Sequence, residues 1–174
     1  MKTLLLMRHA KSSWDHGNLE DHDRPLNARG RAACRTMGAW LVDQNLEPDA
    51  VWVSSAARTR ETWARLSASF ASPPAPRFER QLYLSGPQRM LDFLNMTDAR
   101  ATCALLIAHQ PGMSAITAML SDPQGDPGFH DAARHFPTGA IAVLKADIGD
   151  WSVLSPQGCR FVTFARPRDL RSPD

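Results

Sequence analysis

The stretch Leu4-Leu5-Leu6-Met7-Arg8-His9 is an apolar run of four residues that ends in two basic side chains. A short, continuous apolar run is typical of a strand that is covered on both faces, as strands are in a parallel sheet. Two more such runs follow at residues 50–54 and 104–108. Helical patterns lie between these runs, and strands that alternate with helices predict one α/β domain with a mostly parallel central sheet.

Signals in the intervening segments place the helices. Asn27 is a candidate N-cap for a helix over about residues 28–44. Ser54 or Ser55 is expected to cap a second helix, and Pro111 stands where another helix can begin. Residues 122–137 are predicted to be a loop, because they show no helical or strand pattern.

The last third of the chain predicts two further strands, near residues 140–144 and 160–164, which are expected to pair antiparallel at an edge of the sheet. No repeat and no linker divides the chain into two cores. We therefore expect a single domain over residues 1–166. Residues 167–174 hold too little apolar content to pack and are expected to form a loose tail.

Composition narrows the class of protein. The 174 residues are 43% hydrophobic and carry a net charge of +2, which excludes a mainly disordered chain. So small a charge gives no reason to expect a nucleic-acid partner, and no apolar run approaches the ~18 residues of a membrane span. The three cysteines are too few and too widely spaced for a disulfide framework, which favours reduced thiols and a cytoplasmic protein.

Basic side chains follow each of the three apolar strands. Arg8 and His9 end the first strand, Arg58 lies just beyond the second, and His109 follows the third. The carboxyl ends of parallel strands share one sheet edge, where ligands bind. Guanidinium groups suit phosphate oxygens, and nearby helix N-termini add N–H donors. The sequence thus predicts a phosphate-binding basin, although from spacing alone a structural role for each of these side chains stays open.

Such a basin allows phosphoryl transfer without a metal or cofactor. A neutral imidazole at His9 can attack phosphorus and form a phosphohistidine, which water then hydrolyses. Arg8, Arg58 and His109 would hold the phosphoryl oxygens through the transition state.

Three ordered blocks resemble the histidine phosphatase superfamily, which has the phosphoglycerate mutase-like fold. Arg8-His9-Ala10 is similar to its R-H-G signature, with Ala10 in place of Gly. Ser54, Arg58 and Thr62 fit its S-x-x-x-R-x-x-x-T block, and residues 107–111 resemble its third block. Residues 7–14 and 23–30 look like the SixA-type phosphohistidine phosphatase branch. The resemblance covers residues 1–164 and implies a three-layer α/β/α sandwich.

The resemblance also implies roles for individual residues. His9 matches the nucleophile of the family, and Arg8, Arg58 and His109 match its phosphate pocket. Arg24 matches a further phosphate or substrate contact, with a salt bridge to Asp21 or Asp23 as the alternative. Lys11 is placed at the pocket mouth, with a solvated loop lysine as the alternative. Carboxylates and imidazoles can bind a metal, and the loop of Asp15, His16 and residues 20–23 contains both, but a charge-rich loop of this kind favours solvated side chains.

The sequence departs from the family pattern at the position of the proton donor. Gln81 aligns where many ester phosphatases and mutases of the superfamily carry Glu, and Glu79 lies two residues away. An imidazole leaving group needs little protonation, whereas an alkoxide needs it badly. The absence of a long lid insertion also leaves room for a protein substrate. We therefore expect a phosphatase acting on protein phosphohistidine; the alternatives are a small-molecule phosphoester phosphatase or a non-catalytic phosphate- or phosphopeptide-binding module.

Overall fold

A computed structural model describes residues 1–15, 17–122 and 127–170. Its sheet has six strands in the order β3-β2-β4-β1-β5-β6. The first four strands of that order run parallel, and β5 is antiparallel to both of its neighbours. The strands are β1 Lys2–Arg8, β2 Ala50–Ser54, β3 Arg77–Glu79, β4 Cys103–Ala108, β5 Ile141–Ala146 and β6 Cys159–Ala165.

Five α-helices in the described residues cover the two faces of the sheet. They are α1 Ala28–Asp43, α2 Ala57–Leu66, α3 Pro87–Asn95, α4 Gly112–Leu120 and α5 Pro127–Arg134. Helices α1 and α2 contribute to the core on one face, and α3, α4 and α5 to the core on the other. The predicted three-layer α/β/α sandwich with a mostly parallel sheet is therefore confirmed.

Strand β1 lies at the centre of this arrangement. Leu4 and Leu6 point into one core, and Leu5 and Met7 point into the other. All four are at most 1% exposed. The apolar run has no polar alternation because each successive side chain enters a different core, and both cores exclude water.

Several local predictions are confirmed. The Asn27 side chain accepts a hydrogen bond from Gly30 N at 2.8 Å and caps α1, which ends at Asp43. Pro111 is the N-cap residue of α4. The two late strands, β5 and β6, pair antiparallel, and β6 is the edge strand of the sheet.

Two local predictions are wrong. The N-cap of α2 is Ala56, not Ser54 or Ser55, and it makes no side-chain hydrogen bond. The Ser54 hydroxyl is instead paired with a histidine of the candidate site. The segment predicted as a loop at 122–137 contains α5, which buries Phe129 and Ala132. Residues 123–126 of that segment lie outside the described residues.

Residues 167–170 form a turn after β6. Arg166 pairs with Asp169, and Leu170 packs against the core that α1 and α2 cover. Residues 171–174, the rest of the predicted tail, lie outside the described residues. In the described part of the chain, the helices are all too short or too polar to cross a lipid bilayer.

Candidate active site

The carboxyl ends of β1 and β4 bring two histidines together. His9 N donates a hydrogen bond to Ala108 O at 3.1 Å, which extends the β1–β4 pairing by one residue. The ring centroids of His9 and His109 are 5.2 Å apart. Gly139 N donates to the carbonyl oxygens of Arg8 and His9, at 3.1 and 3.0 Å, and so fixes this backbone from the β5 side. The histidines are 100 residues apart in sequence, yet the sheet makes them neighbours.

His9 has a defined tautomer. Its Nδ1 lies 2.8 Å from the Ala10 carbonyl oxygen. A carbonyl oxygen only accepts hydrogen bonds, so Nδ1 carries the proton and Nε2 of the neutral ring has the free lone pair. Burial and, to a smaller extent, the charge of Arg58 lower the pKa of His9 to about 3, against the opposing effect of the Ala10 hydrogen bond. His9 is therefore a neutral imidazole at physiological pH.

His109 presents one paired and one unpaired nitrogen. Its Nε2 lies 2.7 Å from the hydroxyl oxygen of Ser54, at the end of β2. Its Nδ1 is buried and has no hydrogen-bond partner among the described residues. Burial is the main cause that lowers the pKa of His109, and the neighbouring His9 adds to it. A buried unpaired ring nitrogen is costly, and a ligand oxygen would satisfy it.

Two arginines flank the histidine pair. Arg58, in the first turn of α2, is 4% exposed, and its Nη2 pairs with Asp21 Oδ2 at 2.9 Å. Arg8 Nη1 donates to Phe136 O at 2.8 Å, whereas its buried Nε has no partner among the described residues. These contacts hold both guanidinium groups in a fixed orientation.

Arg24 is also drawn into the site, from the loop between β1 and α1. Its guanidinium donates to Ser13 O, Ser12 Oγ and Asp21 Oδ1 at 2.8 to 3.0 Å. Its Cζ lies 3.3 Å from the centre of the Trp14 ring. The salt bridge weighed as the alternative role for Arg24 is therefore present, and its partner is Asp21.

Asp21 belongs to the site, although the sequence did not predict it there. Its carboxylate joins Arg24, Arg58 and the Tyr83 hydroxyl, which donates to Oδ2 at 2.5 Å. These contacts, that from Tyr83 first, hold the pKa of Asp21 well below its usual range. The one hint in the sequence was the spacing of Asp21 three residues before Arg24. Nothing in the sequence pointed to Tyr83, which lies edge-on to His109 at 5.3 Å between ring centroids.

These side chains surround a cavity of about 450 Å³, which we call the active-site cavity. Lys11 lies at its mouth and is exposed. Neither Glu79 in β3 nor Gln81 lines it. The described residues around the cavity are Arg8, His9, Lys11, Ser12, Trp14, Asp21, Arg24, Arg58, Leu84, His109, Gln110 and Thr138.

The charges of this cavity suit a tetrahedral oxyanion. Three guanidinium groups and two imidazoles face one carboxylate, which is already paired with two of the arginines. Among the described residues, no group of three His, Cys, Asp or Glu side chains is placed to hold a metal ion. His16, part of the loop weighed as a metal site, lies outside the described residues.

Comparisons with known proteins bear on this geometry. Residues 4–82 match the family model of the histidine phosphatase superfamily (branch 1). An uncharacterized protein of Mycobacterium tuberculosis is 35% identical over 168 residues, which cover 93% of this chain and 100% of that protein. An uncharacterized protein of Mycobacterium leprae is 34% identical over 169 residues, with the same coverage.

Solved structures share the fold along the whole chain. One, from Nakamurella multipartitia, is described as a candidate phosphohistidine phosphatase SixA. It is 31% identical with a TM-score of 0.83, and the match covers 95% of this chain and 96% of that one. A second, the protein histidine phosphatase SixA in complex with tungstate, has a TM-score of 0.79 at 24% identity, covering 97% and 99%. The family model, the full-length relatives and the shared fold agree: this chain belongs to the histidine phosphatase superfamily, branch 1.

Proposed function

We propose that this protein is a phosphatase that passes a phosphoryl group to His9 and then to water, and that its substrate is a phosphohistidine carried by a protein. The hydrogen bond from His9 Nδ1 to the Ala10 carbonyl carries the proposal, since it leaves Nε2 as the nucleophile. Burial keeps that imidazole neutral, because it lowers the pKa of His9 to about 3.

The reaction proceeds in two displacements. His9 Nε2 attacks phosphorus while the N–P bond of the substrate breaks, and the substrate imidazole, protonated on its other ring nitrogen, leaves neutral. Water then attacks the phosphoryl group on His9, releases orthophosphate and restores the neutral imidazole of His9. Arg8, Arg58 and His109 hold the phosphoryl oxygens, and the buried Arg24 adds positive charge to the cavity. These fixed donors stabilise the transition state without reorganising.

The state of Asp21 favours an N–P over an ester substrate. It is the one acidic residue among the described residues that line the cavity, and its depressed pKa keeps it ionised at neutral pH. An ionised carboxylate gives no proton to a leaving group. An alkoxide leaving group needs such a proton, whereas a neutral imidazole does not. The 31% identical structure described as a candidate phosphohistidine phosphatase supports the same substrate class.

The compartment proposed is the cytoplasm. All three cysteines are free and buried. Reduced thiols persist in reducing compartments, and this chain uses none of its cysteines to form a disulfide.

The test is phosphate release from a histidine-phosphorylated protein in excess EDTA. Wild type, His9→Ala and His130→Ala are compared, since His130 is exposed on α5 and lies outside the cavity lining. We expect release by wild type and His130→Ala, and a loss on the order of 10³-fold or more in His9→Ala. Rapid quenching should trap phosphate on wild-type His9 in an acid-labile bond. In a separate assay without EDTA, vanadate should inhibit at lower concentration than phosphate, because it mimics the transition state.

Three outcomes contradict parts of the proposal. Turnover by folded His9→Ala removes His9 as the nucleophile. Hydrolysis of phosphate esters but not of phosphohistidine by wild type makes the protein an ester phosphatase. Phosphate binding without turnover of either substrate identifies a binding module.

A further inference from the structure

A second cavity, of about 190 Å³, adjoins the active-site cavity; we call it the basic cavity. Lys11 and Thr138 line both cavities, so the two cavities are neighbours that share these side chains. No acidic residue is among the described residues that line it, whereas five basic ones are: Lys11, Arg29, His135, Arg166 and Arg168.

Close backbone contacts build one wall of the basic cavity. Asn27 N donates to Lys11 O at 3.0 Å, and the first turn of α1 lies against the same residue. A Cβ added at Gly30 would lie 2.2 Å from Lys11 O, so only a glycine permits this approach. The contact places Arg29, the residue before Gly30, beside Lys11.

The opposite wall comes from the end of the chain. Gly139 has a φ of +79°, and a Cβ there would lie 3.1 Å from Pro167 Cγ. This contact holds the segment of His135 and Thr138 next to the turn that carries Arg168. These two glycine contacts hold the backbone segments that carry Lys11, Arg29 and Arg168 around the basic cavity.

The positive charge of this cavity is only partly neutralised. Arg166 pairs with Asp131 and Asp169, and Arg168 lies 3.4 Å from Asp169. Lys11 and Arg29 have no ion-pair partner among the described residues. The first turn of α1 contains no acidic residue, although the positive end of a helix dipole favours one. Lys11 and Arg29 are therefore two exposed cations without an ion-pair partner among the described residues, and they lie next to the active-site cavity.

We propose that the basic cavity is a second subsite, which binds a side-chain carboxylate of the substrate next to the phosphohistidine. This inference rests on the proposed function and narrows its substrate class to phosphohistidines with acidic neighbours. A phosphohistidine that reaches His9 keeps its carrier chain at the mouth, where Lys11 stands. The adjoining residues of that chain then lie over Arg29, and carboxylates complement the charge they meet.

The experiment compares two phosphohistidine peptides that differ only in having Glu or Gln on both sides of the phosphohistidine. Arg29→Gln and the double variant Lys11→Gln/Arg29→Gln are measured against wild type. Arg35→Gln is the matched control, because it removes the same charge from an exposed position of α1 that lines neither cavity.

We expect wild type and Arg35→Gln to prefer the Glu peptide by about tenfold in kcat/KM, through KM. Arg29→Gln should lose part of this preference, and the double variant all of it. The Gln peptide should be hydrolysed with the same KM by wild type and Arg29→Gln. Raising the salt concentration to about 1 M should shrink the preference, because it shortens the screening length to about 3 Å.

A binding arm keeps the inference separate from the proposed function. The same peptides, with a hydrolysis-resistant phosphonate in place of the phosphoryl group, are titrated into wild type and Arg29→Gln. Tighter binding of the Glu form that needs Arg29, without turnover of either phosphopeptide, supports the subsite and overturns the proposed activity. Equal kcat/KM and equal affinity for both peptides overturns the subsite and leaves the activity intact. If the protein prefers a small molecule that carries phosphate and carboxylate and shows no preference for the Glu peptide, the carboxylate in the basic cavity does not belong to a protein substrate, and the inference is overturned.

Discussion

Asp21 is a carboxylate placed where the site would bind an anion. It accepts from the guanidinium groups of Arg24 and Arg58 and from the Tyr83 hydroxyl, and its pKa is depressed as a result. These bonds hold both arginines in a fixed orientation. They also place a negative charge beside the cavity that must receive a phosphoryl dianion. One side chain therefore has two opposing effects on the ligand.

Replacing Asp21 by Asn separates these effects. Loss of the negative charge should tighten inhibition by orthophosphate by about three- to tenfold, as expected for one close charge pair. Loss of the fixed orientation of Arg58 should at the same time lower kcat. Inhibition and turnover assays measure the two effects independently.

Asp23→Asn is the control for that prediction, because Asp23 is a carboxylate on the same short turn that pairs only with His22 among the described residues. It should change neither constant. An unchanged inhibition constant in Asp21→Asn would show that the carboxylate does not compete with phosphate.

How far the sequence predicts single residues depends on where they lie. Residues that directly follow strands, such as His9 and His109, could be placed at one sheet edge because strand ends are predictable positions. Their roles stay predictions. Asp21 and Tyr83 come from two separate segments without periodicity, one before α1 and one after β3, and no local pattern encodes how these segments meet.

At the scale of elements, the errors share a physical cause. Ser54 was expected to cap α2, but its hydroxyl is paired with His109, a residue 55 positions away. Local preference for a cap was overridden by a tertiary hydrogen bond. Helix α5 was missed because its eight residues bury only Phe129 and Ala132, too few to show a period. The long helix α1, with its cap at Asn27, was predictable because many positions repeat one pattern.

Gly30 is the element-scale position where a single methyl group should matter most. Gly30→Ala would force α1 away from Lys11, since the Cβ would lie 2.2 Å from a backbone oxygen that cannot rotate aside. We expect a loss of about 1–3 kcal/mol in the free energy of unfolding, measured with urea. Substrate affinity at the Lys11 side of the cavity should fall as well.

Gly149→Ala provides the comparison, because a Cβ there meets no atom within 4 Å. Its free energy of unfolding should change by less than about 0.5 kcal/mol. Similar losses in both variants would mean that the effect of Gly30→Ala does not come from its contact with Lys11.

For the whole molecule, the buried histidines should make stability depend on pH. The pKa of His9 falls from 6.5 to about 3 on folding, chiefly through burial. Between these values the unfolded chain binds a proton that the native protein does not. Stability is therefore highest above pH 6.5 and falls, as pH drops toward 3, by about 1.4 kcal/mol per pH unit. The depressed pKa of His109 acts in the same direction.

Urea unfolding at pH 7.5 and pH 5.0 checks this prediction. Wild type should lose about 2 kcal/mol more than His9→Gln over this interval, because glutamine does not titrate. Equal losses would mean that His9 is protonated in the folded protein at pH 5.0.

The type of sheet was predictable from the sequence, whereas the order of its strands was not. The apolar runs predicted a mostly parallel sheet with an antiparallel pair at one edge, and this is confirmed. The order of the strands was not predictable, because the runs of β1, β2 and β4 are equally apolar and fit any central position.

The central position of β1 has a consequence for synthesis on the ribosome. This strand emerges before both of its neighbours, β4 and β5, and β5 ends at residue 146. At about 5–20 residues per second, the first strand waits roughly 7–30 s for its second partner. During that interval Leu4–Met7 is an exposed apolar segment with unpaired backbone, the kind of segment that nascent-chain chaperones bind. The cavity around His9 can therefore form only after Thr138, the last of its described lining residues along the chain, has been synthesised.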